Sequence, residues 1–132
     1  MNKAKKELDR LARVISYGVL DTEFERGYDD LVKLAASICQ TSAAAISLAD
    51  ESRIWFKARF QVEATFVPRE TSICGITVEQ ASTLCIPDLL ADPRTAKLPY
   101  VAGAPHHRAY LGVPLVTHDG YVIGTLAVLD NK

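Results

Sequence analysis

From Val122 to Leu129 the chain has no polar face: Val122, Ile123, Leu126, Val128 and Leu129 fall on both sides of any extended segment. A strand of this kind must lie inside a sheet that is covered on both sides, because an open face would set its apolar side chains against water. A sheet with a layer on each face is therefore the first constraint on the fold. Thr117-His118-Asp119-Gly120 precedes the strand, and Asp-Gly is a strong hairpin signal. Tyr110 to Val116 is then its antiparallel partner. Pro114 in that partner cannot donate to a ladder, so it is expected at an edge or a bulge.

The first half supplies one of the covering layers. Lys3 to Tyr17 carries Ala4, Leu8, Leu11, Ala12 and Ile15 at helical spacing, and Gly18 stands where a helix end favours a residue tolerant of positive φ. A second helix is expected from Thr22, where Thr22 and Glu25 have the spacing of a capping box. Its apolar positions are Phe24, Tyr28, Leu31, Ala35 and Ile38. Ala43 to Ala49 reads as a strand. Arg53 to Phe60 alternates strictly, with Ile54, Phe56, Ala58 and Phe60 on one face and Arg53, Trp55, Lys57 and Arg59 on the other. Asp50-Glu51-Ser52 makes the two a hairpin.

The other layer must come from the middle of the chain, which is irregular. Ser72 to Glu79 is expected as a short helix capped by Thr71 or Ser72, and Leu84-Cys85-Ile86 as a short strand. Asp88 to Lys97 mixes turn residues with a helical turn, and Pro99, Gly103 and Pro105 keep the following stretch irregular. The result is an α+β domain. A central, mainly antiparallel sheet has the N-terminal helices on one face and the Arg69 to Arg108 segment on the other.

At 132 residues this is one domain, with 48% apolar residues for its core. No apolar run approaches the ~18 residues of a membrane span, and the basic start has no apolar stretch behind it, so a cytoplasmic protein is expected. A net charge of −1, from 15 basic and 16 acidic residues, argues against nucleic acid as a partner. Cys39, Cys74 and Cys85 form no CxxC pair, so neither a disulfide framework nor a structural zinc site is expected. Both Cys39 and Cys85 are expected in the core.

Several residues of the irregular segment and its borders carry chemistry. His106, His107 and Arg108 together have the means to hold an anion or line a tetrapyrrole, with His107 and Arg108 the stronger candidates. Zinc at the histidine pair is disfavoured, because neighbours in an extended segment point apart. Cys74 reads as a small buried apolar group, with a thiol activated by a helix N-terminus as the alternative. Asp88 reads first as a turn residue and second as a ligand contact. Trp55 shares its face with Arg53, Lys57 and Arg59, where it stacks on cations, shields the sheet or meets a ligand. Tyr110 is a candidate pocket phenol. No nucleophile-base-orienter set, Gly-rich phosphate loop or clustered carboxylate site is present.

The order of elements, together with six segments, resembles a GAF domain of the type found N-terminally in bacterial sensor kinases and diguanylate cyclases. The segments are Gly18-Val19-Leu20-Asp21-Thr22, Trp55-Phe56-Lys57-Ala58-Arg59, Arg69-Glu70-Thr71-Ser72-Ile73-Cys74, Asp88 to Arg94, Arg108 to Leu115 and Gly124 to Asp130. The resemblance covers nearly the whole chain, read as one domain over residues 1–132, with residues 1–20 as a candidate pairing element. It implies a non-catalytic sensory or regulatory module of a signal-transduction protein, including cyclic di-GMP signalling. Such a module binds a small molecule or relays conformational signals, and pairs as a homodimer through its outer helices. A kinase or cyclase output domain would follow if the chain is an excerpt.

The implied pocket lies between the sheet and residues 71–108, with Trp55, Thr71, Ser72, Cys74, Asp88, His107, Arg108 and Tyr110 as its candidate ligand contacts. No cofactor, metal or particular ligand is specified. Ala109 stands where an aromatic residue is usual and Ala127 where a cysteine is common, so a roomier or differently packed pocket is expected. Two alternatives share the resemblance: a free methionine-R-sulfoxide reductase and a bilin-binding photosensor. Each needs a cysteine ahead of the Val113-Pro114-Leu115 strand, and Val101 to Tyr110 contains none. The Asn-Lys-Phe-Asp-Glu signature of cyclic-nucleotide-binding relatives is also missing.

Overall fold

The computed structural model describes residues 3–131. Six strands, β1 (Ala43–Ala49), β2 (Arg53–Phe60), β3 (Phe66–Pro68), β4 (Leu84–Ile86), β5 (Ala109–Val116) and β6 (Val122–Asp130), form one antiparallel sheet. Their spatial order is β3-β2-β1-β6-β5-β4. The apolar strand β6 lies between β1 and β5 and is buried along nearly all of its length. Pro114 faces Thr125 of β6 at a level that the short β4 does not reach, so its missing donor falls on an open edge. Helices α1 (Lys3–Ser16) and α2 (Arg26–Cys39) cover one face. On the other lie α3 (Ile73–Gln80), α4 (Pro99–Ala102) and the turns between them.

Four expectations are corrected. The strict alternation of β2 is broken by a β-bulge: Ile46 pairs with Ala58 and Ser47 with Phe56, which leaves Lys57 without a partner. Ile54 and Phe56 therefore join the core beneath α3, whereas Ala58 and Phe60 lie under α2. Lys57 turns inward toward the helices and is buried. The second correction follows from that turn. Lys57 Nζ donates to Thr22 Oγ1 at 2.8 Å and to Glu23 O at 2.6 Å, and lies 2.6 Å from Glu25 Oε2. The expected capping residues are thus used by the sheet, and α2 begins only at Arg26.

Third, neither helix turns its full apolar stripe inward. On α1 the buried residues are Arg10 and Val14, while Leu8 and Ile15 are 67% and 69% exposed. Arg10 Nη1 donates to Ala49 O at 2.7 Å and Val122 O at 3.2 Å, satisfying carbonyls where β1 ends and β6 begins. An apolar side chain there would offer those carbonyls no donor. The sheet under α2 is floored by Ala44, Ala58, Ile46 and Val128, and such small residues admit Val32 and Ala36 at close range. Phe24, Leu31 and Ile38 consequently face outward.

Fourth, Cys39 and Cys85 are exposed rather than in the core. Cys39 closes α2 on its outer side, and Cys85 points away between the buried Leu84 and Ile86. Shorter elements follow their expected chemistry. Gly18 has φ +63° at the end of α1, and the turn at Thr117–Gly120 is closed by Thr117 Oγ1 donating to Asp119 Oδ1 at 2.6 Å. Pro99, read as part of an irregular stretch, instead opens α4 at its first position, where a missing N–H costs nothing.

Candidate functional site

A cavity of about 600 Å³ lies between the sheet and the layer of α3 and α4. Its floor is Ala45, Leu129 and Tyr110, and Ile73 and Cys74 at the start of α3 form one wall. Leu98, Tyr100 and His107 form the opposite wall, and residues 61–64 form an outer lip. The wall at α3 is built locally. Ser72 caps the helix, its Oγ accepting from the Cys74 N–H at 3.1 Å. Gly75 lets that first turn press on the preceding 3-10 turn, since a Cβ would stand 2.4 Å from Arg69 O.

Tyr110 closes the floor. Its ring lies over Gly112, where a Cβ would stand 2.1 Å from the phenol oxygen. The phenol donates to Cys74 Sγ at 3.6 Å and is 2.8 Å from Thr77 Oγ1, while Ser47 Oγ and Thr125 Oγ1 are joined at 2.8 Å alongside. Burial, together with the neighbouring thiol, pushes the Tyr110 phenol well above its ordinary range, so it stays protonated. On the opposite wall the His107 N–H donates to Tyr100 O at 2.8 Å. Burial lowers the His107 imidazole below its ordinary value and leaves it neutral at neutral pH.

Thr71, Ser72, Cys74, His107 and Tyr110 border this cavity, as read from the sequence. Three of the candidate contacts do not. Trp55 lies on the opposite face of the sheet, buried with Val14, Leu48 and Ile123. Asp88 is exposed and its Oδ1 accepts from the Leu90 N–H at 3.1 Å, a local turn. Arg108 braces the layer above instead, Nη1 donating to Val101 O at 2.9 Å and His107 O at 3.1 Å. Neither Ala109 nor Ala127 borders the space, and Ala127 is buried in the core. Phe56, Leu98, Tyr100 and the lip were missed. The alternation of Val62 and Ala64 with polar residues was the one signal for the lip.

Among the described residues no group of three His, Cys, Asp or Glu side chains is placed to hold a metal. The cavity lining contains, among the described residues, one cysteine, Cys74, and one acidic side chain, Glu63 on the exposed lip, with no lysine or arginine. No hydrogen bond among the described residues joins the His107 ring to Cys74; the Cys74 thiol meets the Tyr110 phenol instead.

A family model described as GAF domain matches residues 23–132. A cyclic di-GMP phosphodiesterase of Pseudomonas aeruginosa is 33% identical over 126 residues, 96% of this chain. The chain spans only 22% of that relative's length. Among solved structures, the GAF domain of an Acinetobacter phosphoenolpyruvate-protein phosphotransferase superposes with a TM-score of 0.66 at 17% identity, over 100% of this chain and 80% of the other. A free methionine-R-sulfoxide reductase from Neisseria meningitidis, in complex with its substrate, superposes at 0.65 with 18% identity, over 99% and 77%. At such identities the solved structures share the fold alone.

Proposed function

The chain belongs to the GAF domain family, and from that membership we propose that it is a non-catalytic, cytoplasmic regulatory module of a bacterial signal-transduction protein. It senses a small molecule in the cavity above β1, β5 and β6. The observation that carries this reading is the hollow itself: about 600 Å³ of space lies between the sheet and the α3 and α4 layer. Among the described residues no helix is long and apolar enough to cross a membrane. The likeness to a cyclic di-GMP phosphodiesterase favours an output enzyme of cyclic dinucleotide turnover, with a kinase as the alternative output. Native mass spectrometry of protein purified from its own host is expected to show a bound mass. An unliganded spectrum, with no melting-temperature shift across a metabolite library, would refute the sensing role.

Pairing is the second part of the proposal. Ala4, Leu8, Leu11 and Ile15 repeat at intervals of four, three and four, the spacing of a coiled-coil seam, and on α2 the exposed Leu31, Leu34 and Ile38 repeat the three-four spacing. Like seams on two copies are self-complementary, so a second copy is the occupant proposed. Changing Leu8 and Ile15 together to aspartate is expected to weaken self-association ~10-fold or more in sedimentation equilibrium. A wild-type chain that stays monomeric at high concentration would remove this part.

Ligand and helix are linked through Glu7. Its carboxylate accepts from Arg10 Nε at 2.9 Å on α1 and from Arg69 Nη1 at 2.6 Å, next to the Thr71–Cys74 wall. The Arg10 hydrogen bond, joined by Arg69, lowers Glu7 from 4.5 to about 2. A depressed folded value stabilises above the unfolded value, and that stability is lost as pH falls from about 4.5 toward 2. With a third of the side chain open to water, the contribution is about 1 kcal/mol after screening. Wild type is therefore expected to lose more stability than Glu7→Gln between pH 7 and pH 3 in urea titrations. Equal losses would show that the pair couples nothing.

The enzyme reading keeps one test. With one thiol at the cavity, a thiol-coupled assay on free methionine sulfoxide is expected to give no turnover above background.

A further inference from the structure

The geometry points to the class of molecule this cavity accepts: an uncharged, largely apolar ligand carrying one or two hydrogen-bonding groups, which are read by Ser72 and His107. The inference rests on the sensing role proposed above and specifies its ligand.

Most of the contact surface is hydrocarbon, contributed by Phe56, Val62, Val67, Ile73, Leu98 and Leu129. A space of about 600 Å³ with such a lining matches a compact molecule of one or two rings. Charge decides between candidates. Among the described residues no lysine or arginine lines the cavity, and three arginines of the bordering segments are turned elsewhere. Arg69 is held by Glu7 and Glu79. Arg59 Nη1 donates to Val62 O and Glu63 O while its guanidinium lies over Phe24, and Arg108 is held by Val101 O and His107 O. A carboxylate or phosphate would thus enter without a counter-charge, which is strongly unfavourable in an apolar setting. An ammonium group meets only Glu63, out on the solvent-exposed lip.

The polar handles are equally selective. Tyr110 is committed to Cys74 and Thr77 and has little left for a guest. Ser72 Oγ accepts from Cys74, and its own hydroxyl proton has no acceptor among the described residues. The His107 ring likewise has no hydrogen-bond partner among them, and as a neutral imidazole it offers one donor and one acceptor. A ligand amide, hydroxyl or ring nitrogen satisfies such a pair without bringing charge.

The test is a matched series measured by calorimetry on the full chain: naphthalene-2-carboxamide, naphthalene-2-carboxylate and naphthalen-2-ylmethylammonium. The carboxamide is expected to bind ~10-fold or more tightly than either ion. His107→Leu is expected to reduce the carboxamide's advantage ~5-fold with melting temperature unchanged, and Ser72→Gly to reduce it similarly with a small fall in melting temperature from loss of the α3 cap. If either ion binds tightest, the ligand class is wrong and the sensing role stands. If none of the three binds at millimolar concentration, the ligand class is overturned, and the sensing role is decided separately by the native mass spectrum and the metabolite library.

Discussion

Replacing Gly124 with alanine is expected to lower the stability of the domain by about 3 kcal/mol or more, with a melting temperature lower by on the order of 10 °C. Gly124 sits in the middle of the sheet, opposite Leu48 on one side and Leu115 on the other. A Cβ there would stand 1.8 Å from Ser47 O, 2.8 Å from Ser47 C and 3.0 Å from Leu48 Cα. All three atoms are backbone, so no side chain can rotate out of the way. Strand β1 would have to move, and with it the Ser47–Thr125 hydrogen bond beside Tyr110. Gly27→Ala in the first turn of α2 is the control, because a Cβ there meets nothing within 4 Å. It is expected to be neutral or to stabilise by about 0.5 kcal/mol. Equal melting temperatures for the two variants would mean that β1 and β6 do not approach this closely.

The layers of this fold were legible in the sequence because they follow from burial alone. A strand with no polar face demands two covers, and β6 has them. What the sequence concealed depends on partners. Ile54, Phe56, Ala58 and Phe60 keep perfect period-two spacing, so nothing within β2 betrays the bulge. It exists only in the pairing with Ile46 and Ser47. Periodicity likewise reveals that α1 has an apolar stripe but not which surface that stripe meets. The open carbonyls of Ala49 and Val122 drew Arg10 inward instead.

The cavity divides along the same line. Ser72 was legible because helix capping is local, and Tyr110 because it begins a strand beside an irregular segment. Trp55 stands among the candidate ligand contacts, with shielding of the sheet as another reading, and it is the shielding role that it takes, enclosed with Val14 between α1 and the sheet. Arg108 was expected to meet a ligand. Its Nη1 is instead turned to carbonyls of its own layer, and no lysine or arginine among the described residues lines the cavity. That outcome changes the chemistry of the site, and no spacing rule reports it.

Lys57→Ala is expected to cost about 3 kcal/mol, and Lys57→Met about half of that. Lys57 is the unpaired residue of the bulge, yet only 1% of its side chain is exposed. Its stem is enclosed between sheet and helix, and its ammonium lies 5.5 Å from the Tyr28 ring centre. Alanine removes both the buried stem and the charge-assisted hydrogen bonds to Thr22 and Glu23 O. Methionine restores most of the volume and loses only the polar contacts, so the difference between the two separates packing from hydrogen bonding. Little is lost by stranding Glu25, whose side chain is 61% exposed and remains hydrated. The segment from Thr22 to Glu25 is the connection between α1 and α2, and Lys57 ties it to β2 one residue from Phe56 in the cavity wall. In Lys57→Met, hydrogen exchange at Thr22–Glu25 is expected to rise before global unfolding begins. If exchange there is unchanged and both variants lose under about 1 kcal/mol, the lysine is a bystander and the linker is held by other contacts.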